Sequence, residues 1–327
     1  MTFTSRRLPA LPALCDSASL RETFLPALPA LPALLAVLLA ACPVGETTPP
    51  PPQGEMADAV DMIARGDFPA AEALLQQLLR EHLADPAQAH HYLGVCAEQR
   101  EDWASAEDHY REALRRQPGL FESRHNLGNV LHYEGRDDDA LAVLTELTQA
   151  FPEEAEGFLA LGIQQDGMGD HEGALASLRK AAELDAAPLP EPVEESMGGS
   201  AGFAALFEAA AILGGLGRSD EEIALMQEAV ARSSAAPVAA VGLARALLRA
   251  GRKDEAETAL RDCLATHAGD ATAGFVLGGL LVEAGRCDEA VPLLQGALPV
   301  FLAADPGAGA VSKIREGLAV CGAAGPP

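Results

Sequence analysis

Aromatic residues are scarce in this chain: they make up 4% of 327 residues, with a single Trp. Nothing in it alternates as a strand would, so a sheet-built core is excluded. Basic residues are also few, 23 Lys+Arg against 48 Asp+Glu, a net charge of −25. A chain so acidic is repelled by phosphate backbones, which argues against a nucleic-acid partner. The six cysteines contain no CxxC pair and no dense framework. That pattern indicates neither a zinc site nor a disulfide scaffold. Cys263 and Cys287 are expected to stand too far apart to pair and to be reduced, with Cys263 in a core. What is abundant is Ala and Leu within a 49% hydrophobic composition, which suits helices packed through small residues.

A periodicity organises those helices. His91-Tyr92-Leu93-Gly94 is followed by Asp102-Trp103-Ala104-Ser105-Ala106, then Tyr110, Ala113 and Pro118. Thirty-four places on, the same slots hold His125-Asn126-Leu127-Gly128, Asp137, Ala140, Leu144, Leu147 and Pro152. Gly94 and Gly128 fall mid-helix, where Gly costs about 1 kcal/mol against Ala. The cost makes sense if a second helix crosses there, with Ala106 and Ala140 as its matching small residues. Gly135 suits a left-handed helix end, and Pro118 and Pro152 stop the second helix. Glycines recur at Gly135 and Gly169, then at Gly217, Gly251 and Gly285, each 34 apart within its set. The interval from Gly169 to Gly217 is 48, so one linker's length has been inserted. Glu222 stands where the other repeats have Ala, and Pro292 and Pro299 are expected to kink or shorten the last second helix.

A repeat of this length with small residues at two fixed slots marks a helical array. The pattern resembles the tetratricopeptide repeat over roughly residues 55–304. The resemblance implies an all-α, right-handed helical solenoid of about seven helix pairs, with a capping helix after them. Val311, Ile314, Leu318 and Cys321 lie on one face of that cap. It further implies a non-enzymatic scaffold whose first helices line a concave groove for a peptide or helix of a partner protein. In the family the groove slots fall three before the small residue, one after it and one turn later. Here they are His91, Val95, Glu98, His125, Asn129 and His132, with Asn126 beside them in Asn126-Leu127-Gly128-Asn129. Amides of that kind hold a peptide backbone because they both donate and accept. From the fourth repeat the slots turn apolar: Leu159, Ile163, Phe207, Val241 and Phe275. The alternative is that these apolar residues pack on neighbouring repeats and the polar ones are solvated surface. Lysines that clamp a terminal carboxylate in some members are absent.

The chain before the repeats reads differently. Residues 1–41 carry Arg6, Arg7 and Arg21 ahead of an uncharged run, Phe24 to Ala41, broken by Pro26, Pro29 and Pro32. This has the character of a secretory leader, and Leu39-Ala40-Ala41-Cys42 resembles a bacterial lipobox. The resemblance implies that Cys42 is lipidated and becomes the mature N-terminus, with residues 42–54 as a Pro-rich tether. Four repeats follow over 55–187, an acidic Pro/Gly linker over 188–201, three repeats over 202–304, and the capping helix and tail over 305–327. The linker is expected to act as a hinge from Ala186 to Ser200, or else to bulge out while its neighbours stack.

No motif for catalysis or metal binding stands up. Gly198-Gly199-Ser200-Ala201-Gly202 matches G-x-S-x-G, but that elbow needs a strand before it, so a Gly/Ser turn is the better reading. His125 and His132 lie about 10 Å apart along one helix, too far to share an ion. The expectation is therefore a scaffold with no cofactor and no metal, anchored to the cell envelope through Cys42. A soluble cytoplasmic adaptor is the alternative.

Overall fold

The computed structural model describes residues 54–187, 200–233, 237–305 and 309–323. The leader, Cys42 with nearly all of its tether, and most of the expected linker lie outside the described residues. Among those described, all regular structure is α-helical, and the helices fall into two compact units that divide after Asp185.

The first unit holds α1 (Glu55–Ala64), α2 (Phe68–Glu81), α3 (Pro86–Glu98), α4 (Trp103–Arg116), α5 (Phe121–Tyr133), α6 (Asp137–Ala150), α7 (Ala155–Gly167) and α8 (His171–Leu184). The second holds α9 (Ala201–Gly215), α10 (Ser219–Arg232), α11 (Pro237–Arg249), α12 (Lys253–Thr266), α13 (Ala271–Glu283), α14 (Cys287–Ala304) and α15 (Gly309–Val320). Among the described residues, seven consecutive pairs and one final helix thus match the expected count.

The small-residue slots do what their cost implies. A methyl group added at Gly94 would stand 2.6 Å from the Tyr110 ring, and at Gly128 it would stand 2.7 Å from Leu144. Gly162 faces Leu178 and Gly278 faces Leu294 with the same closeness, 2.7 and 2.6 Å. Each large side chain comes from the second helix of the same pair and is fully or almost fully buried. The glycine is therefore a socket for its neighbour's knob.

Helix ends follow two rules. Gly66, Gly135, Gly169, Gly217, Gly251 and Gly285 close their first helices at φ between 72° and 85°, where a Cβ is disfavoured. The residue after each glycine starts the second helix in one of two ways. Asp67 and Asp170, with Asp102 in the equivalent slot after Glu101, accept a hydrogen bond from the backbone N–H three residues on, as a capping carboxylate should. Arg136, Arg218, Arg252 and Arg286 occupy the same slot without capping, and each grips the acid three residues on: Asp139, Glu221, Glu255 and Glu289.

The unexpected Glu222 is accommodated by a change of partner. It is 1% exposed, paired with Arg249, and its carboxylate lies 3.2 Å from where a Cβ on Gly214 would stand. One carboxylate oxygen and Arg249 Nε find no partner.

Two expectations are corrected at the C-terminal end. Pro292 and Pro299 do not shorten α14, which runs through both for 18 residues. Leu294, Ala297 and Leu298 of α14 pack with Val311, Ile314 and Leu318 of α15, and this shared core holds the helix through its missing N–H groups. Nor is Cys287 reduced: it forms a disulfide with Cys321, with Cα atoms 5.3 Å apart and a sequence separation of 34. A pair one full period apart escapes a search for dense cysteine spacing. Cys96 and Cys263 are free and buried, the latter as expected.

Candidate functional site

The expected groove residues of the first unit sit on α3, α5 and α7. Adjacent first helices are tied laterally: His91 Nδ1 lies 3.0 Å from Ser123 Oγ across thirty-two residues. The slot three before the small residue therefore points at the next first helix rather than at an open face. That corrects part of the expected groove. His125 and Leu159 are buried, and so are Phe207 and Val241 in the second unit. Phe207 packs on Phe203, ring centroids 5.0 Å apart, and reaches toward Gly242 of the following first helix. Phe275 is only partly buried but stands edge-on to Phe301, 5.4 Å between centroids, within the core that α15 closes. These apolar residues hold repeats together.

What remains partly or fully exposed in the first unit is His91, already tied to Ser123, with Val95, Glu98, Asn126, Asn129, His132 and Ile163. They differ in how far the fold itself uses them. Tyr110 Oη donates to Glu98 Oε2 at 2.7 Å and accepts from Asn126 Nδ2 at 3.1 Å, linking α3, α4 and α5. Asn126 thus spends its amide on the fold, in contrast to the role its motif implied. His132 Nδ1 stands 2.7 Å from Asp137 Oδ1, and Gln164 Nε2 of α7 donates to the same oxygen at 3.1 Å. Asn129, one slot past the glycine socket, makes no side-chain hydrogen bond among the described residues.

Burial sets the electrostatics here. It pushes the His91 and His125 imidazoles down to about 4, so both are neutral at pH 7. His125 Nε2 is buried without a partner. Burial also raises the Glu98 carboxyl, against the hydrogen bond from Tyr110. The Tyr110 hydroxyl is raised well above its ordinary value by burial and the adjoining carboxylate, so it stays protonated and donates.

Sequence reading missed several of these residues. Tyr110 was legible as a packing slot, but not that its hydroxyl would join two neighbouring repeats. Trp103 and Tyr133 stack nearly parallel, 14° and 4.7 Å between centroids, at the α4 start and the α5 end. Neither occupies a signature slot, and only their identity as large aromatics in an aromatic-poor chain could have flagged them. The serine of the G-x-S-x-G match serves the fold, because Ser200 Oγ accepts from Phe203 N at 3.1 Å and caps α9.

A family model described as the tetratricopeptide repeat matches residues 59–120 and 241–309, one stretch in each unit. No curated protein matches the chain. Among solved structures, the C-terminal part of a TPR repeat-containing protein from Cytophaga hutchinsonii shares 12% identity and a TM-score of 0.58, covering 80% of this chain and 99% of that one. A tetratricopeptide repeat protein from Parabacteroides merdae shares 17%, with a TM-score of 0.49 over 82% and 97% of the two chains. PilF of Pseudomonas aeruginosa shares 13%, at 0.49 over 71% and 97%. With seven helix pairs of this build among the described residues and a family match in both units, the chain carries tetratricopeptide repeats over residues 59–120 and 241–309.

Proposed function

We propose that the first unit binds an extended segment of a partner protein along the exposed face of α3, α5 and α7. The protein is a protein-interaction scaffold by its repeats. The observation that carries the finer reading is the contrast within that face. His91, Ser123, Tyr110 and Asn126 are consumed in ties between repeats, whereas Asn129 keeps a free amide, and Val95 and Ile163, in the same slot of the preceding and following first helices, are partly exposed. A free amide beside apolar ledges suits a backbone in extended form, which offers one donor and one acceptor per residue.

The scaffold works, in this reading, at the cell envelope, tethered by a lipid on Cys42. Two features support it: the Leu39-Ala40-Ala41-Cys42 sequence behind a leader, and the Cys287–Cys321 disulfide, since such bonds persist in oxidising compartments. Stable anchorage needs more than one acyl chain.

Capture of partners by the protein and by Asn129→Ala, with melting temperatures measured alongside, tests the groove. Loss of capture at unchanged stability is expected, and undiminished capture refutes it. For the tether, Cys42→Ser should shift the protein from the membrane fraction to the soluble one and remove the lipid mass. Wild-type protein that is soluble and unlipidated refutes that part.

A further inference from the structure

Glu98 is out of keeping with the other acids around it. Glu72, Glu107 and Glu112 each have an arginine: Arg100 for the first, Arg111 and Arg136 for the second, Arg115 and Arg116 for the third. Glu98 is partly buried and has no Lys or Arg partner among the described residues. The side chain that donates to it is Tyr110, through Oη at 2.7 Å. A carboxylate offers about four lone-pair positions, and a desolvated charge without a counter-ion is costly. The cation that would balance it is missing from the described side chains.

The surroundings specify what kind of cation fits. α3 ends at Glu98 and α4 begins at Trp103, whose ring stacks on Tyr133. Both rings are only partly buried. Trp103 packs against the core cluster that contains Tyr110, the residue that holds Glu98, so the acid and the stack adjoin; after burial, the charge on Glu98 also raises the Tyr133 hydroxyl. Aromatic faces attract organic cations, and a planar guanidinium also stacks on them. Tyr110, itself oriented by Asn126, engages Oε2 of the carboxylate, and Oε1 makes no hydrogen bond among the described residues. Residues 55–185 contain 27 acidic and 10 basic residues, a net of −17, which draws basic segments toward the unit.

We propose that Glu98 and the Trp103–Tyr133 stack form a receptor for an arginine or lysine side chain carried by the bound segment. This rests on the groove reading above, and it adds the chemistry of the partner: an extended, basic stretch.

Trp103 is the one Trp of the chain, so its fluorescence reports from the receptor directly. The full-length protein is titrated at physiological salt with a hexa-arginine peptide and with its uncharged hexa-citrulline counterpart, and heats of binding are recorded in parallel. The arginine peptide should change the emission saturably and the citrulline peptide should not. Glu98→Gln keeps an acceptor for Tyr110 and removes the charge; it should weaken binding at least tenfold. Asp138→Asn, an equal charge change on exposed α6 surface, should stay within twofold. Equal weakening by both variants, or equal binding of both peptides, overturns the receptor. If Glu98→Gln melts early, Tyr133→Leu decides instead: a severalfold loss for the arginine peptide supports the stack and no loss overturns it. Equal binding of both peptides that Asn129→Ala weakens would sink the receptor and leave the groove standing. No heat and no emission change with either peptide would remove both.

Discussion

Reducing Cys287–Cys321 should release the end of the array, and the size of the effect follows from where the bond lies. The disulfide closes a loop of 34 residues, for which loop entropy gives about 3.8 kcal/mol in global unfolding. The array need not unfold globally, however, because each helix contacts mainly its neighbours. Opening of α15 alone frees the stretch from Asp305 to Cys321, roughly 17 residues, and the same relation gives about 3 kcal/mol. With α14 still folded, that is the energy by which the bond suppresses local opening. Hydrogen exchange on the protein with and without a reducing agent measures it. Amides of α15 should exchange roughly a hundredfold faster after reduction, by the relation of 1.4 kcal/mol per decade. Those of α11, further back in the same unit, should be unaffected. Protection of α15 within twofold of the oxidised value would refute the reasoning, and would mean that Val311, Ile314 and Leu318 hold the cap unaided.

Three further outcomes are expected. Gly128→Ala drives a methyl group to 2.7 Å from the buried Leu144. Overpacking of about 1–3 kcal/mol should outweigh the ~1 kcal/mol of helix propensity gained, lowering the urea midpoint. Arg249→Ala strands a buried carboxylate and should cost about 3 kcal/mol, whereas Glu222→Ala restores the small residue of the other six pairs and should lie within about 1 kcal/mol of wild type or above it. Burial lowers the folded-state value of His125 to about 4, so between about 6.5 and 4 the unfolded chain takes up a proton that the fold refuses. Stability should fall as pH drops through that window, by about 1.4 kcal/mol per pH unit for this group. Urea midpoints at pH 7 and pH 5 should show a loss about 2 kcal/mol smaller in His125→Gln than in wild type.

The repeat architecture was legible because each signature slot answers a backbone or packing demand that recurs every 34 residues. Gly135 must end a helix, and Gly128 must admit Leu144; no other residue type does either as well. The groove was less legible because slot number alone does not say which face is open. His91 and His125 share a slot, yet one reaches Ser123 on the next helix and the other buries its Nε2 without a partner. Which face a slot presents depends on how closely adjacent first helices approach. That is set by side chains a whole period away, outside any local pattern. The Cys287–Cys321 bond was hidden for the same reason: its partners are contiguous only once the last helix has folded back.

The two ways of starting a second helix divide the units by their response to ionic strength. In the first unit three of the four second helices begin on an aspartate that binds the backbone directly, and only α6 relies on an arginine fork. In the second unit α10, α12 and α14 all rely on the fork. Exposed ion pairs are screened by added electrolyte, while a hydrogen bond to a backbone N–H is far less so. The first unit also carries the larger surplus of negative charge, a self-repulsion that counter-ions relieve. Salt should therefore firm one half of the chain while loosening the other, giving two melting transitions that move in opposite directions. A chain that keeps both halves firm at one salinity is matched to the medium it works in.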